Sequence, residues 1–512
     1  MKNSRSKKLL LVLITLSMLL PTLASCSEKP ADETTADTIA PAAESDVSAL
    51  SETETEAEDT ELLPDIPKLD FEGRTFTILT SGLNDTNGKD WITYDVYAES
   101  INGEPINDAV FERNEYLNST YNIKLAEYQT QKDTLSELKT EVTANTGAFQ
   151  AAMTHFENGA TLSRQGALMD MYSLPYIDVT KPWWDHSGVE ALEVMGSLYQ
   201  ATGDITVIDN DATWVLFFNK QMREDLQLDN LYDLVRENKW DFDKFYELLS
   251  VAPLDVNADG KMSYKDDRYG MITSDQSGYG LLYASGISLL VPDKDEVFKI
   301  DSDFEKLSSV VDAAAKIMAD QNMTFITTRE GSTSDSVRQA FEEGRGLFFG
   351  EVMQCATRMR SSDTDFGLIP WPKYELTQDR YYNWIHSSAG RGVVIPTSVQ
   401  KGDYEMVGAI VEAMAAKSMY TLTTAYYDKS FTYKSLRDED SVEMLEIVLQ
   451  SRSYDLSNIY AITLNSRVLN CIVNGNGKLA SEWKSGSKLA NKLLSRAVKD
   501  LEEVKANTES GN

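Results

Sequence analysis

Apolar residues fall along this chain in short runs set off by turn-forming positions, and the spacing of the runs predicts strands alternating with helices. RTFTILT, Arg74 to Thr80, predicts a strand. The next patterned segment, PINDAVFERNEYLNSTYN, repeats apolar side chains at Ile106, Val110, Phe111 and Leu117 near helical spacing, and Pro105 suits a helix start. IKLAEY predicts a second strand, Thr134 to Ala144 a polar helix, and Phe149 to Met153 a third strand. Such alternation argues for an α/β lobe with a mainly parallel sheet.

Farther along, Thr213 to Lys220, Gly344 to Gly350, Phe366 to Pro372 and Arg391 to Ser398 are short apolar runs bounded by turn residues, the pattern of buried strands. Helical stretches are expected near Asp403 and near Ser451. No fixed-period repeat recurs, which argues against a solenoid or propeller.

The run from Leu9 to Leu20 differs, because it follows Lys2, Arg5, Lys7 and Lys8 and stops at the small-residue site LASC. That is the pattern of a secretory signal over residues 1–25. It falls short of the about 20 apolar residues a membrane helix needs, and no later stretch reaches that length. LASC, Leu23 to Cys26, resembles the bacterial lipobox, with Ser25 where Gly or Ala is usual. The resemblance implies a lipidated Cys26 as the mature N-terminus, on the extracellular face of a bacterial cell membrane.

Residues 26–68 are rich in Glu, Asp, Thr, Ala and Ser, a composition that cannot bury enough apolar surface to offset its ordering entropy. As a flexible tether, about 40 residues have a typical end-to-end distance near 35 Å. The formal charge is −33, and removing the four cations of the signal leaves −37. A field of that sign opposes nucleic acid and anionic head groups, so nucleic-acid binding is excluded. Of the 3 cysteines, Cys355 and Cys471 remain after the lipid site, either as a pair or as two small buried side chains. His155, His186 and His386 spell out no zinc cluster.

Roughly 445 residues follow the tether, more than one compact core usually holds, so two lobes are expected. The order GEPINDAVFERNEYLNSTYNIKL, GDI (Gly203 to Ile205), FFNK (Phe217 to Lys220), FGLIPWPKY and GVVIPTS, behind a lipobox, resembles the extracellular solute-binding proteins of ABC importers. The pattern is most like their sugar-binding, maltose-receptor-like group, and it covers the body beyond about Leu69. The resemblance implies a two-lobe, periplasmic-binding-protein-like (type II) α/β fold with a ligand cleft between the lobes. It places residues 69–208 and 394–440 in one lobe, and 209–393 and 441–512 in the other. It further implies a monomeric receptor that closes on a carbohydrate, an oligosaccharide by preference, and passes it to the permease subunits.

DVNADGKMSYKDD, Asp255 to Asp267, sets oxygen-bearing side chains at alternate positions and then turns on a glycine. Asp255, Asn257 and Asp259 fit the first three ligand positions of a calcium loop, Lys261 a carbonyl position, Ser263 the ninth and Asp266 the twelfth. One loop alone fits a structural calcium staple better than a switch, since sensors work through paired loops and an apolar groove.

Aromatic residues carry the ligand-binding expectation, with 8 Trp and 24 Tyr in the chain. Trp183 and Trp184 are adjacent, which argues against both sharing one core and for one facing ligand. Trp214 falls near the crossing between lobes, and Trp371, Tyr381 and Trp384 precede Arg391 in a second concentration. Polar partners are expected from loops at strand ends: Asp85 or Asn87, Asp204, Asp209, Glu351 and Arg391. Carboxylate and guanidinium groups bridge neighbouring sugar hydroxyls with paired hydrogen bonds. No phosphate loop, nucleophile elbow or metalloprotease helix is present, and no motif marks a catalytic carboxylate pair, so a binding protein is expected rather than an enzyme. A surface polysaccharide-capture protein uncoupled from transport, a receptor for a peptide or other polar solute, and a secreted glycan-active enzyme are the alternative readings.

Overall fold

The computed structural model describes residues 61–82, 91–293, 297–300, 303–327, 329–431 and 439–510. The expected signal, the expected lipidation site Cys26 and most of the expected tether lie outside them, as do Asp85 and Asn87. Residues 60–512 form one compact unit.

Two sheets organise that unit. In the first, Arg74–Ser81 lies between Ile123–Thr130 and Ala151–His155, parallel to both, and Arg391–Val394 adds an antiparallel edge beside Ala151–His155. In the second, Gly346–Val352 is central: Tyr269–Thr273 runs parallel to it on one side, with Thr324–Ile326 beyond. On its other side Trp214–Asn219 and then Phe366–Ile369 are added antiparallel. The first sheet is therefore mainly parallel, as expected for that lobe, with one antiparallel edge strand that returns from far along the chain, whereas the second is mixed. Between the sheets, Asn383–Trp384 pairs in parallel with Arg452–Ser453.

Local chemistry explains the helices that position the first sheet. Helix Pro105–Tyr121 begins with proline, whose missing N–H is no loss in the first turn, and Glu104 caps it by accepting from the Asn107 amide at 2.9 Å. Helix Thr134–Ala144 starts where its pattern predicts, with the Asp133 carboxylate accepting from the Ser136 amide at 2.7 Å. The third strand is displaced from its expected place and spans Ala151–His155. The segment near Ser451 is not one helix: it is the short strand Arg452–Ser453 followed by helix Ser457–Tyr460.

The expected lobe boundaries need two corrections. A break between residues 393 and 394 would cut the strand Arg391–Val394, all of which pairs in the first sheet. The last helix, Leu479–Ser510, does not belong to the second lobe alone, since Ala490, Leu494 and Leu501 share an apolar cluster with Leu79, Leu138 and Phe149 around the first sheet. Cys355 and Cys471 are both free and buried. Among the described residues no helix is long and apolar enough to cross a membrane.

Candidate functional site

Most walls of the site come from the carboxyl ends of the second sheet's parallel strands. Ser274, Asp275 and Gln276 follow Tyr269–Thr273, Thr327 follows Thr324–Ile326, and Glu351 and Val352 close Gly346–Val352. Cys355 and Arg358 come from the short helix after that last strand, and Ser334 from the start of helix Ser334–Glu342. Trp214 begins the antiparallel strand beside them, His386 and Ala389 lie on the passage back to the first sheet, and Trp91 comes from beyond the first strand of that sheet. Together they enclose a cavity of ≈ 390 Å³. Its size lies within the about 300–1,000 Å³ of small-molecule sites, and its position follows the rule that α/β sheets bind ligand beyond their strand ends.

The cavity is both aromatic and polar. The Trp214 ring lies 5.8 Å from Trp384, centroid to centroid, and Trp384 lies 5.2 Å from His386. Burial pushes the Glu351 carboxyl up to about 7, while one of its oxygens accepts from the Val352 amide at 3.0 Å. Burial also lowers His386 to about 4, with His155 adding to the effect, so its ring is neutral near pH 7. Ser388 Oγ lies 3.0 Å from His386 Nδ1. Burial raises the Cys355 thiol well above its usual range. Arg391 is wholly buried on the first sheet's edge, where its guanidinium meets His155 at 3.1 Å and donates to the Trp91 carbonyl.

Of the residues expected to hold ligand, Trp214 and Glu351 line the cavity, and Trp384 and Arg391 sit directly behind it. Trp371 and Tyr381 do not reach it. Trp371 is packed against Gly280, where an added Cβ would stand 2.6 Å from the indole, and Tyr381 donates its hydroxyl to the Val235 carbonyl at 3.1 Å.

Trp183 and Trp184 share one core after all. The chain turns there, with the Trp184 amide donating to the Lys181 carbonyl at 3.2 Å, and both indoles converge on Glu412. Gly203 makes this possible: its φ of +153 is a conformation L side chains rarely adopt, and a Cβ there would fall 2.3 Å from the Trp183 carbonyl oxygen. Asp209 and Asp204 are likewise committed inside the protein. Asp209 pairs with Arg452 at 3.1 Å and Asp204 accepts from Thr423 at 2.6 Å; burial raises each to about 6. Arg452 also pairs with Asp185 at 2.7 Å and donates to Asn210, so it ties together three distant segments.

The Asp255 loop closes on itself. Asp255 accepts from the Gly260 amide at 2.8 Å, Asn257 from Asp259 at 2.9 Å, and Asp259 from Lys261 at 2.8 Å. Asp266 is exposed; the carboxylate that turns inward is Asp267, which accepts from Val256 at 2.9 Å and Ser263 at 2.8 Å. Ser263 directs its hydroxyl to Glu330 at 2.8 Å. The donor types suit a hard cation, but among the described residues no three His, Cys, Asp or Glu side chains gather as a metal-holding group.

Ser274, Asp275 and Gln276 escaped the sequence reading. YGMIT, the strand before them, is only five residues long, and without it the strand-end rule had nothing to act on.

Two α/β sheets with a cavity between them at strand ends define the class: a two-lobe binding-protein fold. It is the fold of the substrate-binding proteins of ABC transporters. A Listeria monocytogenes ABC substrate-binding protein solved with cycloalternan matches with TM-score 0.52 and 12% identity, over 83% of this chain and 99% of that one. The galacto-N-biose/lacto-N-biose I-binding protein of a Bifidobacterium longum ABC transporter, solved with lacto-N-biose, matches with TM-score 0.54 and 12% identity over 83% and 98%. The GacH receptor of Streptomyces glaucescens, solved with acarbose, matches with TM-score 0.51 and 12% identity over 83% and 99%. At such identity the likeness is one of fold. No protein-family model and no curated protein sequence matches the chain.

Proposed function

We propose that this chain is the lipid-anchored, extracellular substrate-binding protein of an ABC importer, holding a carbohydrate between its lobes without transforming it and passing it to a permease. One observation carries the reading: the ≈ 390 Å³ cavity at the strand ends, where Trp91 and Trp214 stand among Ser274, Asp275, Gln276, Glu351 and Arg358. A sugar ring offers C–H faces to an aromatic plane and hydroxyls to planar polar groups, which is the chemistry of this wall. The carbohydrates bound in the neighbouring structures, cycloalternan, lacto-N-biose and acarbose, support the same class of ligand. Closure then follows from a higher affinity of ligand for the closed than for the open arrangement.

The test is thermal unfolding of the mature chain against an oligosaccharide panel, with the sugars analysed afterwards. A ligand at a hundred times its dissociation constant adds about 2.7 kcal/mol, a clear rise in midpoint. A rise with the sugar recovered intact supports a receptor. Product formation would replace it with an enzyme, and silence toward every sugar would replace carbohydrate with a peptide or other polar solute. The loop from Asp255 is proposed to take calcium as a local staple, supported by the oxygens of Asp255, Asn257 and Asp259 on one turn, with Ala258 and Gly260 at φ 58 and 78.

A further inference from the structure

The last helix, Leu479–Ser510, presents a surface at odds with the rest of the chain. Its inner side packs Ala490, Leu494 and Leu501 against the first sheet's cluster, and Asp500 fixes it further by pairing with Arg164 at 2.7 Å. On the outer side Lys484, Lys488, Lys492, Arg496 and Lys499 are all exposed. Steps of three and four residues keep them on one face, over about 22 Å at 1.5 Å per residue. No acidic residue interrupts the stretch from Lys484 to Lys499, in a chain with 81 Asp and Glu against 48 Lys and Arg. Lys499 pairs with Glu503 at 3.4 Å; the other four cations have no ion pair among the described residues. Beside them Leu489 and Leu493 are 40% and 44% exposed.

We propose that this face docks the body onto an anionic lipid surface. Cations interleaved with exposed leucines fit the head-group boundary of a bilayer, where the ammonium groups meet phosphates and the leucines enter the acyl edge. A soluble polyanion would engage only the charges. The overall negative charge does not prevent the contact, because salt screens fields beyond about 8 Å under physiological conditions and leaves the local stripe in command at contact. The inference is independent of what occupies the cavity, but it gains meaning from the proposed lipid anchor, which would keep the face close to a membrane.

Sedimentation with vesicles tests it, using the mature chain from Ser27 so that no lipid is attached. Binding is expected to phosphatidylglycerol-containing vesicles at physiological salt, not to pure phosphatidylcholine, and to weaken as salt rises above that. Each cation near such a surface contributes about 1 kcal/mol, so the double change Lys488→Glu/Lys492→Glu should lower partitioning at least about tenfold. Leu489→Asn/Leu493→Asn should lower it without changing the salt dependence. Both pairs are exposed, and an unchanged unfolding midpoint verifies that the helix is intact. No vesicle binding by the parent, equal binding by the charge variant, or binding to soluble polyphosphate without binding to vesicles would each overturn the proposal.

Discussion

Trp183 donates its indole N–H to Glu412 at 3.0 Å, and the neighbouring Trp184 donates to the other carboxylate oxygen at the same distance. A carboxylate only 1% exposed is thus gripped by two indoles and by the Asp178 amide. Burial nonetheless prevails over these donors and raises Glu412 from 4.5 to about 7. Between those values the folded state holds a proton that the unfolded chain has released, so this group's contribution to stability falls as pH rises through the window and is level above it. Glu412→Gln is expected to remove that slope, a difference on the order of 3 kcal/mol between the two ends of the window. Urea unfolding of parent and variant across pH 4 to 8 measures it, and parallel curves would place the proton elsewhere.

Trp214 and Trp371 should separate binding from folding. Trp214→Ala is expected to weaken ligand by about 1–3 kcal/mol, since its ring lines the cavity. Trp371→Phe, in a wholly buried site, should lower the unfolding midpoint and leave affinity per folded molecule unchanged. Calorimetric titration beside thermal unfolding distinguishes the two outcomes.

Arg452 is the common partner of Asp185 and Asp209. Arg452→Met would leave both carboxylates without their cation in a largely buried place, and a loss of about 3–5 kcal/mol is expected in equilibrium unfolding. Lysine, with a single point of charge, cannot span both acids and should recover only part of it.

Calcium is expected to raise the unfolding midpoint over that in chelator, and Asp259→Ala to abolish the difference. Equal midpoints in both conditions would leave the loop as a turn closed by its own amides.

Pattern made the scaffold legible because it reports local preference: the proline-led helix from Pro105 and the strand Trp214–Asn219 lie where apolar spacing puts them, and the capped helix from Thr134 lies where a polar helix is expected. Of the residues expected to hold ligand, those that line the cavity are Glu351, from a recognised strand end, and Trp214, from its place near the crossing. Asp204 and Asp209 looked like cleft residues because their partners lie far off in sequence: Arg452 comes 243 residues after Asp209, and Thr423 comes 219 after Asp204. The two adjacent tryptophans misled for a different reason. Alternation of faces holds in an extended strand, and the turn at Lys181 removes that condition.

The cavity's unequal walls divide arrival from retention. Among the described residues, the second sheet and the passage from it supply nearly every lining group, while the other side contributes Trp91, held through its carbonyl by Arg391. On the proposed reading, a ligand would make most of its polar contacts before the lobes meet, and encounter would be governed by one surface alone. Trp91 would then act on escape, and loosening it, by Arg391→Lys for instance, is expected to quicken dissociation far more than it slows association.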